Sequence, residues 1–206
     1  GVFRAAGVDT APVASMARAL AHRGPDKHTV RRYGGKRPYC GIGVERLAIV
    51  DIEGGSQPMA DPSGRWRVAM NGEIYNHARI RRELLAYGVQ LKTSSDTEIV
   101  AALIAMNGIE RALNQCHGMF AMAVLDTVER RLYLVRDRMG VKPLHHTTLA
   151  DGTLAFASEI KGLAALAGEW PAHNENHLIR YLINGYKALY KTPETFYREI
   201  EELPRA

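Results

Sequence analysis

Short runs in which apolar and polar side chains alternate recur along the chain, and this period of two residues is typical of strands with one buried face. The runs become frequent after residue 119, where turn-forming residues separate them. The pattern predicts strands at residues 1–4, 41–51, 67–70, 119–126, 131–137, 143–149 and 153–157. Because consecutive runs are joined by short turns, we expect hairpins and therefore antiparallel sheets.

Apolar side chains spaced three or four residues apart predict helices between these strands and after them. Their expected first residues or caps are Thr10, Asn76, Ser95, Ser158 and Asn174. The expected apolar faces of two of them are Ile80, Leu84 and Tyr87, and Ile99, Leu103 and Met106. Ser95 and Glu98 have the spacing of a capping box. Helices before and after paired strands indicate antiparallel sheets covered by helices, an α+β fold.

One stretch combines a strand pattern with polar chemistry: "RVAMNGEIYN", residues 67–76. Asn71-Gly72 is a dipeptide that strongly favours a tight turn, so a type I′ hairpin turn is predicted there. Glu73 follows the turn directly. The stretch is either a corner of a sheet or a place where amide and backbone donors serve a reaction.

Composition and charge narrow the class of protein. The 206 residues are 46% hydrophobic and 24% charged, which is typical of one globular domain. The net charge of +5 comes largely from scattered arginines without interleaved aromatic residues, so we predict no nucleic-acid binding. The longest apolar run, residues 99–106, is far shorter than the ~20 residues of a membrane helix. With only two cysteines and no signal core, a soluble cytoplasmic protein is predicted.

Several kinds of site are excluded by missing motifs. The sequence contains no phosphate-binding G-x-x-x-x-G-K-[ST] loop, no strand-linked G-x-G-x-x-G and no H-E-x-x-H. His145 and His146 are adjacent on a predicted strand, so their side chains point to opposite faces and make a poor metal pair. No metal site is predicted.

Polar residues stand where predicted strands and helices begin or end: Arg46, Asn71, Gly72, Glu73 and Asp96. A site for a zwitterionic amino acid needs these residue types. A guanidinium binds an α-carboxylate through paired hydrogen bonds, and carboxylates accept from an α-ammonium group. An amide donor together with a backbone N–H stabilises a tetrahedral oxyanion.

Each of these residues also has a purely structural explanation. Arg46 could form a surface ion pair with Glu45 or Asp51, and Asp96 could serve only to start a helix. Residue type and spacing alone leave the two readings open.

A series of motifs resembles the glutamine amidotransferase domain of asparagine synthetases, a family of N-terminal-nucleophile hydrolases. The motifs are "HRGPD" (22–26), "RLAIVD" (46–51), "GSQPM" (55–59), "NGEIYN" (71–76), "SSDTE" (94–98), "GMFAMAVLD" (118–126), "RDRMGVKPL" (136–144) and "FASEIKGL" (156–163). They occur in the family's order. The resemblance implies a four-layer αββα sandwich with two antiparallel sheets.

The resemblance also implies a mechanism in which an N-terminal cysteine attacks the side-chain amide of glutamine. Its free α-amino group, with a pKa of about 8, acts as the base. Asn71 and the amide of Gly72 would form the oxyanion hole. The residues that would bind glutamine are Arg46, Leu47, Ile49, Val50, Glu73 and Asp96. In this assignment Arg46 binds the α-carboxylate, while Glu73 and Asp96 surround the α-amino group.

The expected nucleophile is absent, and we predict it just upstream of Gly1. Cys40 begins a "CGI" tripeptide like the family's N-terminus, but cleavage before it would remove the first helix and "HRGPD". A half-buried strand cysteine is therefore the expectation for Cys40, and packing is the expectation for Cys116. An inactive glutaminase-like domain, kept for assembly or regulation, is the alternative function.

The resemblance divides the chain into a glutaminase domain, residues 1–170, and a helical extension, residues 171–206, that leads toward a synthetase domain. The expected partners are L-glutamine and that synthetase domain or subunit. A homodimer is left open, as is the ammonia acceptor, aspartate or a related carboxylate. No cofactor is expected in this domain, whereas ATP and Mg are expected in the synthetase half.

Overall fold

The computed structural model describes residues 1–47, 54–188 and 192–205, with no account of the side chains of residues 187 and 188. The strands are β1 (Val2–Phe3), β2 (Lys27–Tyr33), β3 (Cys40–Arg46), β4 (Met59–Ala60), β5 (Trp66–Ile74), β6 (Gly118–Asp126), β7 (Arg131–Arg136), β8 (His145–Thr148), β9 (Leu154–Ala157) and β10 (Glu201–Glu202). The α-helices are α1 (Val13–Arg18), α2 (His77–Ala86), α3 (Asp96–Asn107), α4 (Ile109–Gln115), α5 (Ile160–Ala167) and α6 (Glu175–Asn184).

The strands form two antiparallel sheets. The larger has the order β10-β8-β9-β1-β3-β2, and the smaller has the order β4-β5-β6-β7. The first residues of the chain therefore lie inside the larger sheet, where Val2 pairs with Gly41 on one side and Ala155 on the other. In the smaller sheet β5 and β6 pair over their whole lengths, from Trp66 opposite Asp126 to Ile74 opposite Gly118.

Three apolar clusters arrange these elements in four layers. The cluster between the sheets includes Ile42 and Phe156 from the larger sheet and Ala121 and Leu125 from the smaller. A second cluster packs α1 and α5 on the outer face of the larger sheet, and a third packs α2, α3 and α4 on the smaller. The α+β fold class and the αββα sandwich predicted from the sequence are confirmed.

Three strands, β2, β4 and β10, were not predicted, and one predicted strand ends early. β2 was not predicted, because its polar side chains leave it an exposed edge strand with a burial pattern that has no clear alternation. β3 ends at Arg46 rather than at residue 51, and residues 48–53 lie outside the described part of the chain.

The predicted turn at Asn71-Gly72 is also wrong. Both residues lie within β5, where Asn71 pairs with Ala121 and Gly72 pairs with Phe120. The uninterrupted ladder with β6 carries the strand through this dipeptide, so the pairing of whole strands overrides its local turn preference.

The helix caps agree with the sequence only in part. Asn174 caps α6 as predicted, by accepting from the N–H of His177 at 3.1 Å. By contrast, α1 begins after Pro12 without a side-chain cap from Thr10. Asn76 precedes α2, but its side chain bonds the backbone at residues 115 and 117 instead of the helix.

At the start of α3, Ser95 caps the helix as predicted, but the predicted capping box with Glu98 is not formed: the N–H of Ser95 donates to Thr93 Oγ1 at 3.2 Å. Ser95 Oγ accepts from the N–H of Thr97 at 3.3 Å. Glu98 does not bond the N–H of Ser95; its carboxylate accepts from Lys92 N at 2.9 Å and Thr93 N at 2.7 Å. Glu98 therefore holds the loop that leads into α3. In the described ranges, no helix has the length and apolar character needed to span a membrane.

Candidate functional site

A cavity of about 350 Å³ lies between the two sheets, next to α1 and the start of α3. Six predicted site residues line it together: Arg46, Leu47, Asn71, Gly72, Glu73 and Asp96. They come from the end of β3, the second half of β5 and the first turn of α3. The other two predicted residues, Ile49 and Val50, lie outside the described residues.

Arg46 supplies positive charge to the cavity. It is the last residue of β3 and pairs with Lys27 of β2, while its carbonyl oxygen accepts from Asp26 N at 3.2 Å. Only 9% of Arg46 is exposed, whereas Leu47, the next residue, is 55% exposed. The strand therefore holds a largely buried guanidinium side chain at the cavity, suited to an anionic group such as a carboxylate.

Asn71 places an unused donor at the same cavity. Its Nδ2 atom is buried and has no hydrogen-bond partner among the residues that the structure describes. A buried amide donor without an acceptor carries a desolvation cost of about 1–3 kcal/mol, so such groups are uncommon in folded proteins. A ligand oxygen in the cavity would relieve this cost.

Gly72 follows Asn71 in a backbone conformation that other residues rarely adopt, with φ of 142°. A Cβ atom built on Gly72 would lie 2.0 Å from the carbonyl oxygen of Met119 on β6. Only glycine fits here, because any side chain would collide with the neighbouring strand.

Three carboxylates line the cavity: Glu45, which pairs with His28, and the two predicted site residues Glu73 and Asp96. Asp96 is the first residue of α3 and is 6% exposed, and its Oδ2 accepts from Ile74 N at 3.0 Å. Burial raises the pKa of Asp96, although the N–H donors of Ile74 and Thr97 oppose the rise. Within the described ranges, no hydrogen bond or ion pair engages the side chain of Glu73. A bound cation would stabilise the charges of Glu73 and Asp96.

Sequence reasoning assigned no role to three polar residues that also line the cavity: Gln57, Thr97 and Lys142. Gln57 Oε1 accepts from Met70 N at 2.6 Å, and its Nε2 donates to Thr97 Oγ1 at 3.1 Å. The signal was present in the sequence, because Gln57 belongs to the "GSQPM" motif and Lys142 to "RDRMGVKPL". Their side-chain partners depend on which strands pair.

Gly1 also lines the cavity, and its N atom donates to the carbonyl oxygen of Phe156 at 2.6 Å. The two cysteines are buried elsewhere: Cys40 is in β3 opposite Phe3, and Cys116 follows α4. Burial raises the pKa of Cys40 to about 12 and that of Cys116 to about 11. Both thiols therefore remain protonated near neutral pH, and neither residue is among those that line the cavity.

The polar groups of the cavity suit an organic ligand with charged ends. Over the part of the chain that the structure describes, no group of three or more His, Cys, Asp or Glu side chains is placed to hold a metal ion. Among the groups that line the cavity are the Arg46 side chain, the Glu73 and Asp96 carboxylates and the Asn71 amide, whose Nδ2 has no partner among the described residues. This subset matches the two charged ends of an amino acid and a carbonyl between them.

Known sequences place the chain in a family. A family model described as glutamine amidotransferase domain matches residues 1–206. Asparagine synthetase [glutamine-hydrolyzing] 3 of Arabidopsis thaliana is 34% identical over 181 residues, which is 88% of this chain and 30% of that protein. Asparagine synthetase [glutamine-hydrolyzing] of Homo sapiens is 37% identical over 148 residues, 71% of this chain and 26% of that protein. The chain thus spans less than a third of the length of these relatives.

Solved structures share the fold. A glutamine phosphoribosylpyrophosphate amidotransferase from B. subtilis, in complex with ADP and GMP, has a TM-score of 0.67 at 22% identity, covering 81% of this chain and 42% of that chain. A structure described as the allosteric regulatory enzyme of purine biosynthesis has a TM-score of 0.62 at 21% identity, with the same coverage. Because the family model matches every residue of the sequence, the chain belongs to the glutamine amidotransferase domain family.

Proposed function

We propose that this chain is the glutaminase half of an asparagine synthase-like, ATP-dependent amidotransferase. The observation that carries the proposal is the buried Nδ2 of Asn71, which lacks a partner among the described residues and belongs to a residue of the cavity wall. A tetrahedral oxyanion is the acceptor that such a donor suits, and the backbone N–H of Gly72 is the second donor of the proposed oxyanion hole.

Glutamine fits the charges that surround this donor. Arg46 binds the α-carboxylate, and Asp96 with Glu73 accepts from the α-ammonium group. Leu47 contributes to the wall beside Arg46, and Ile49 and Val50 keep their predicted place in the pocket as part of the proposal. With both charged ends held, the side-chain amide is the part of glutamine left to face Asn71 and Gly72.

The reaction needs a nucleophile, for which we propose a cysteine just upstream of Gly1. Its free α-amino group takes the thiol proton, and the thiolate attacks the side-chain amide carbon. The carbonyl oxygen becomes an oxyanion bound by Asn71 and Gly72, and collapse of this intermediate expels ammonia with the transferred proton. Water then hydrolyses the glutamyl thioester to glutamate. Gly1 lies at the cavity wall, so a residue before it is joined to the site.

The ammonia would pass to a synthetase half of the same protein or to a partner subunit, where ATP and Mg activate aspartate or a related carboxylate. The curated relatives are more than three times as long as the matched part of this chain and are named as glutamine-hydrolysing asparagine synthetases. A cytoplasmic location and a homodimer remain predictions.

Helix α6 supports a further contact with that half. Its side chains Ile179, Leu182 and Ile183 are apolar and between 53% and 79% exposed. We propose that the synthetase half covers this face, which belongs to the predicted extension at residues 171–206. In the full-length protein, Leu182→Glu should preserve glutamine hydrolysis but reduce glutamine-dependent amide synthesis. Leu85→Glu, at an exposed leucine of α2, is the matched control.

The decisive experiment treats the full-length protein with an electrophilic glutamine analogue and maps the modified residue by peptide mass spectrometry. A label on a cysteine immediately before Gly1, blocked by glutamine, is the expected result. A label on Cys40 would contradict the proposed nucleophile and point to that thiol instead, and no label would favour an inactive domain that keeps the fold for assembly or regulation.

Two substitutions test the assigned residues in the same protein. Asn71→Ala should lower turnover about 10²- to 10³-fold with the fold intact. Asn114→Ala, at an exposed asparagine of α4, is the control. Arg46→Ala should raise the glutamine requirement while sparing synthesis supplied with free ammonia. Equal loss of both activities would indicate a general defect instead of a lost carboxylate contact.

A further inference from the structure

Gln57 joins the two walls of the cavity that carry the proposed oxyanion hole and the proposed ammonium site. Its Oε1 accepts from the N–H of Met70, the residue before Asn71, at 2.6 Å. Its Nε2 donates to Oγ1 of Thr97, the residue after Asp96, at 3.1 Å. One side chain thus ties β5 to the first turn of α3.

The position of Gln57 follows from the sheet. β4 pairs with β5 only at Met59 opposite Val68 and Ala60 opposite Arg67. The same register, continued by two residues, places Gln57 opposite Met70. Here the side chain of Gln57, rather than a backbone carbonyl, accepts from the edge N–H of β5. The strand end is therefore bonded to a group that can reach onward to α3.

The amide orientation of Gln57 is determined by its partners. The N–H of Met70 can only donate, so Oε1 must face it, and Nε2 must then face Thr97. Because Thr97 Oγ1 accepts this bond, its single O–H is left to face Asp96 Oδ1, which lies 3.5 Å away, at the outer limit of hydrogen-bond distance. Gln57 thereby directs the Thr97 hydroxyl toward the buried carboxylate.

The contacts close a ring around the residues of the proposed oxyanion hole. At one end Met70 is linked to Asp96 through Gln57 and Thr97, and at the other end Ile74 N donates to Asp96 directly at 3.0 Å. The segment between them contains Asn71, Gly72 and Glu73. A change at Asp96 therefore reaches both ends of this segment.

We infer that Gln57 is a positioning residue that couples recognition of the substrate's ammonium group at Asp96 to the placement of Asn71 and Gly72. The inference rests on the proposed glutaminase function. When the ammonium group binds, Asp96 is held charged, its Thr97 and Ile74 donors tighten, and Gln57 carries this ordering to Met70. A ligand without an ammonium group would leave the segment less ordered.

The test uses the full-length protein and measures kcat and KM for glutamine across pH. Gln57→Glu has the same shape but offers no donor to Thr97, so the Thr97 hydroxyl turns from Asp96 to the new carboxylate. We expect about a tenfold loss in kcat/KM, the size of one lost hydrogen bond beside a charge, with both kcat and KM affected. The acid limb of the profile should move to higher pH, because Asp96 loses a donor.

A double-mutant cycle separates coupling from simple loss of structure. Thr97→Val removes the hydrogen bond between Gln57 and Thr97 by removing its acceptor. Thr97→Ser keeps the hydroxyl and should retain the wild-type pH profile. If Gln57 and Thr97 act through their shared hydrogen bond, the double variant Gln57→Ala with Thr97→Val will have a kcat/KM no lower than that of the more impaired single variant. Additive losses would overturn the inference. Gln90→Ala, at an exposed glutamine before α3, is the matched control.

The outcomes for the two proposals are distinct. A wild-type protein without glutaminase activity would overturn the proposed function and this inference together. An active wild-type protein, with Gln57→Glu and Thr97→Val indistinguishable from Gln90→Ala, would overturn the coupling alone. Thermal unfolding of each variant identifies any that loses activity by failing to fold, and the comparison with Gln90→Ala then uses whichever of Gln57→Glu and Thr97→Val is folded.

Discussion

Gly72 and Met119 meet across β5 and β6 so closely that a Cβ atom on Gly72 would lie 2.0 Å from the Met119 carbonyl oxygen. The φ of Gly72, 142°, also lies in a region that residues with side chains rarely adopt. At the proposed oxyanion hole, the backbone of β5 therefore has a conformation that only glycine can adopt at position 72.

Gly72→Ala should abolish most glutamine hydrolysis, since the new methyl group forces β5 away from β6 at the residue whose N–H is the proposed oxyanion donor. We expect a loss of at least about 10²-fold in turnover, comparable to removal of one such donor. The unfolding temperature should fall as well, because backbone strain of this kind costs about 1–3 kcal/mol. Steady-state kinetics and calorimetry of the full-length variant provide the measurement.

The control for this variant is Gly152→Ala, in the turn between β8 and β9. Gly152 has a positive φ of 83°, yet a Cβ there would meet nothing within 4 Å. This variant carries backbone strain without a collision and should retain activity. If Gly72→Ala kept wild-type turnover, the Gly72 amide would have no role in the reaction.

Asp96 should make glutamine binding depend on pH. Burial raises its pKa, and only the charged carboxylate accepts from an ammonium group. KM for glutamine is therefore expected to rise as the pH falls through the raised pKa, at higher pH than an ordinary Asp would give. Asp96→Asn should remove this rise of KM at low pH and should raise KM at every pH. Asp151→Asn, at an exposed aspartate, should change neither the pH dependence nor the KM.

The same pKa determines the effect of Asp96 on stability. A carboxyl whose folded-state pKa is raised favours folding when protonated, and that contribution is lost as the pH rises through the folded-state pKa. Asp96→Asn removes a charge that burial disfavours and should unfold at the wild-type temperature or above at neutral pH. A marked decrease would mean that the bond from Ile74 matters more than the desolvation of the charge.

Cys40 should be dispensable for catalysis. Its thiol is fully buried and its pKa is raised to about 12, so it holds almost no thiolate at neutral pH. Cys40→Ala is expected to keep glutamine hydrolysis within about twofold and to be labelled by the electrophilic analogue as wild type is. The variant should lose some stability, because a small cavity opens between the sheets. Loss of labelling would return Cys40 to consideration as the nucleophile.

Asp137 should stabilise the fold above acidic pH. It is 1% exposed and accepts from backbone N–H groups at residues 120, 139, 141 and 142. Burial opposes its charge, but these donors outweigh burial and hold the pKa of Asp137 below its usual value. A lowered folded-state pKa means stability that is present above the unfolded-state pKa and is lost as the pH falls toward the folded-state value.

Asp137→Asn turns an amide NH₂ toward these donors and should lower the free energy of unfolding by about 1–3 kcal/mol at pH 7. The difference from wild type should shrink as the pH falls below about 4, the ordinary pKa at which the carboxyl of the unfolded chain begins to bind a proton, toward the lowered folded-state pKa. Chemical denaturation of both proteins at several pH values measures the difference in their free energies of unfolding. A difference that does not vary with pH would show that shape, and not charge, is what this position requires.

Local sequence patterns predicted elements with one buried face and also elements buried on all sides. α2 follows the helical period, with Ile80 and Leu84 buried. β6 is buried continuously from Phe120 to Asp126 and α3 from Asp96 to Ile104, because both lie inside the sandwich, and their long apolar runs were the signal. The same patterns were wrong at the ends of helices: Tyr87 is 76% exposed and Met106 is 41% exposed, although both were assigned to apolar faces. The last turn of a helix can extend past the layer that it packs against.

The hydrophobic period by itself indicated antiparallel sheets covered by helices, because that period is a local property of the sequence. The order of the motifs, through the family that they resemble, supplied the four-layer sandwich and the residues of the site. The tertiary structure alone decided that Asn71-Gly72 runs straight within β5, since pairing along the whole of β6 outweighs a two-residue turn preference. It also decided that Arg46 and Asp96 share a cavity, and that Gln57 bridges β5 to α3. These relations depend on strand register and packing between distant segments, which no local pattern encodes.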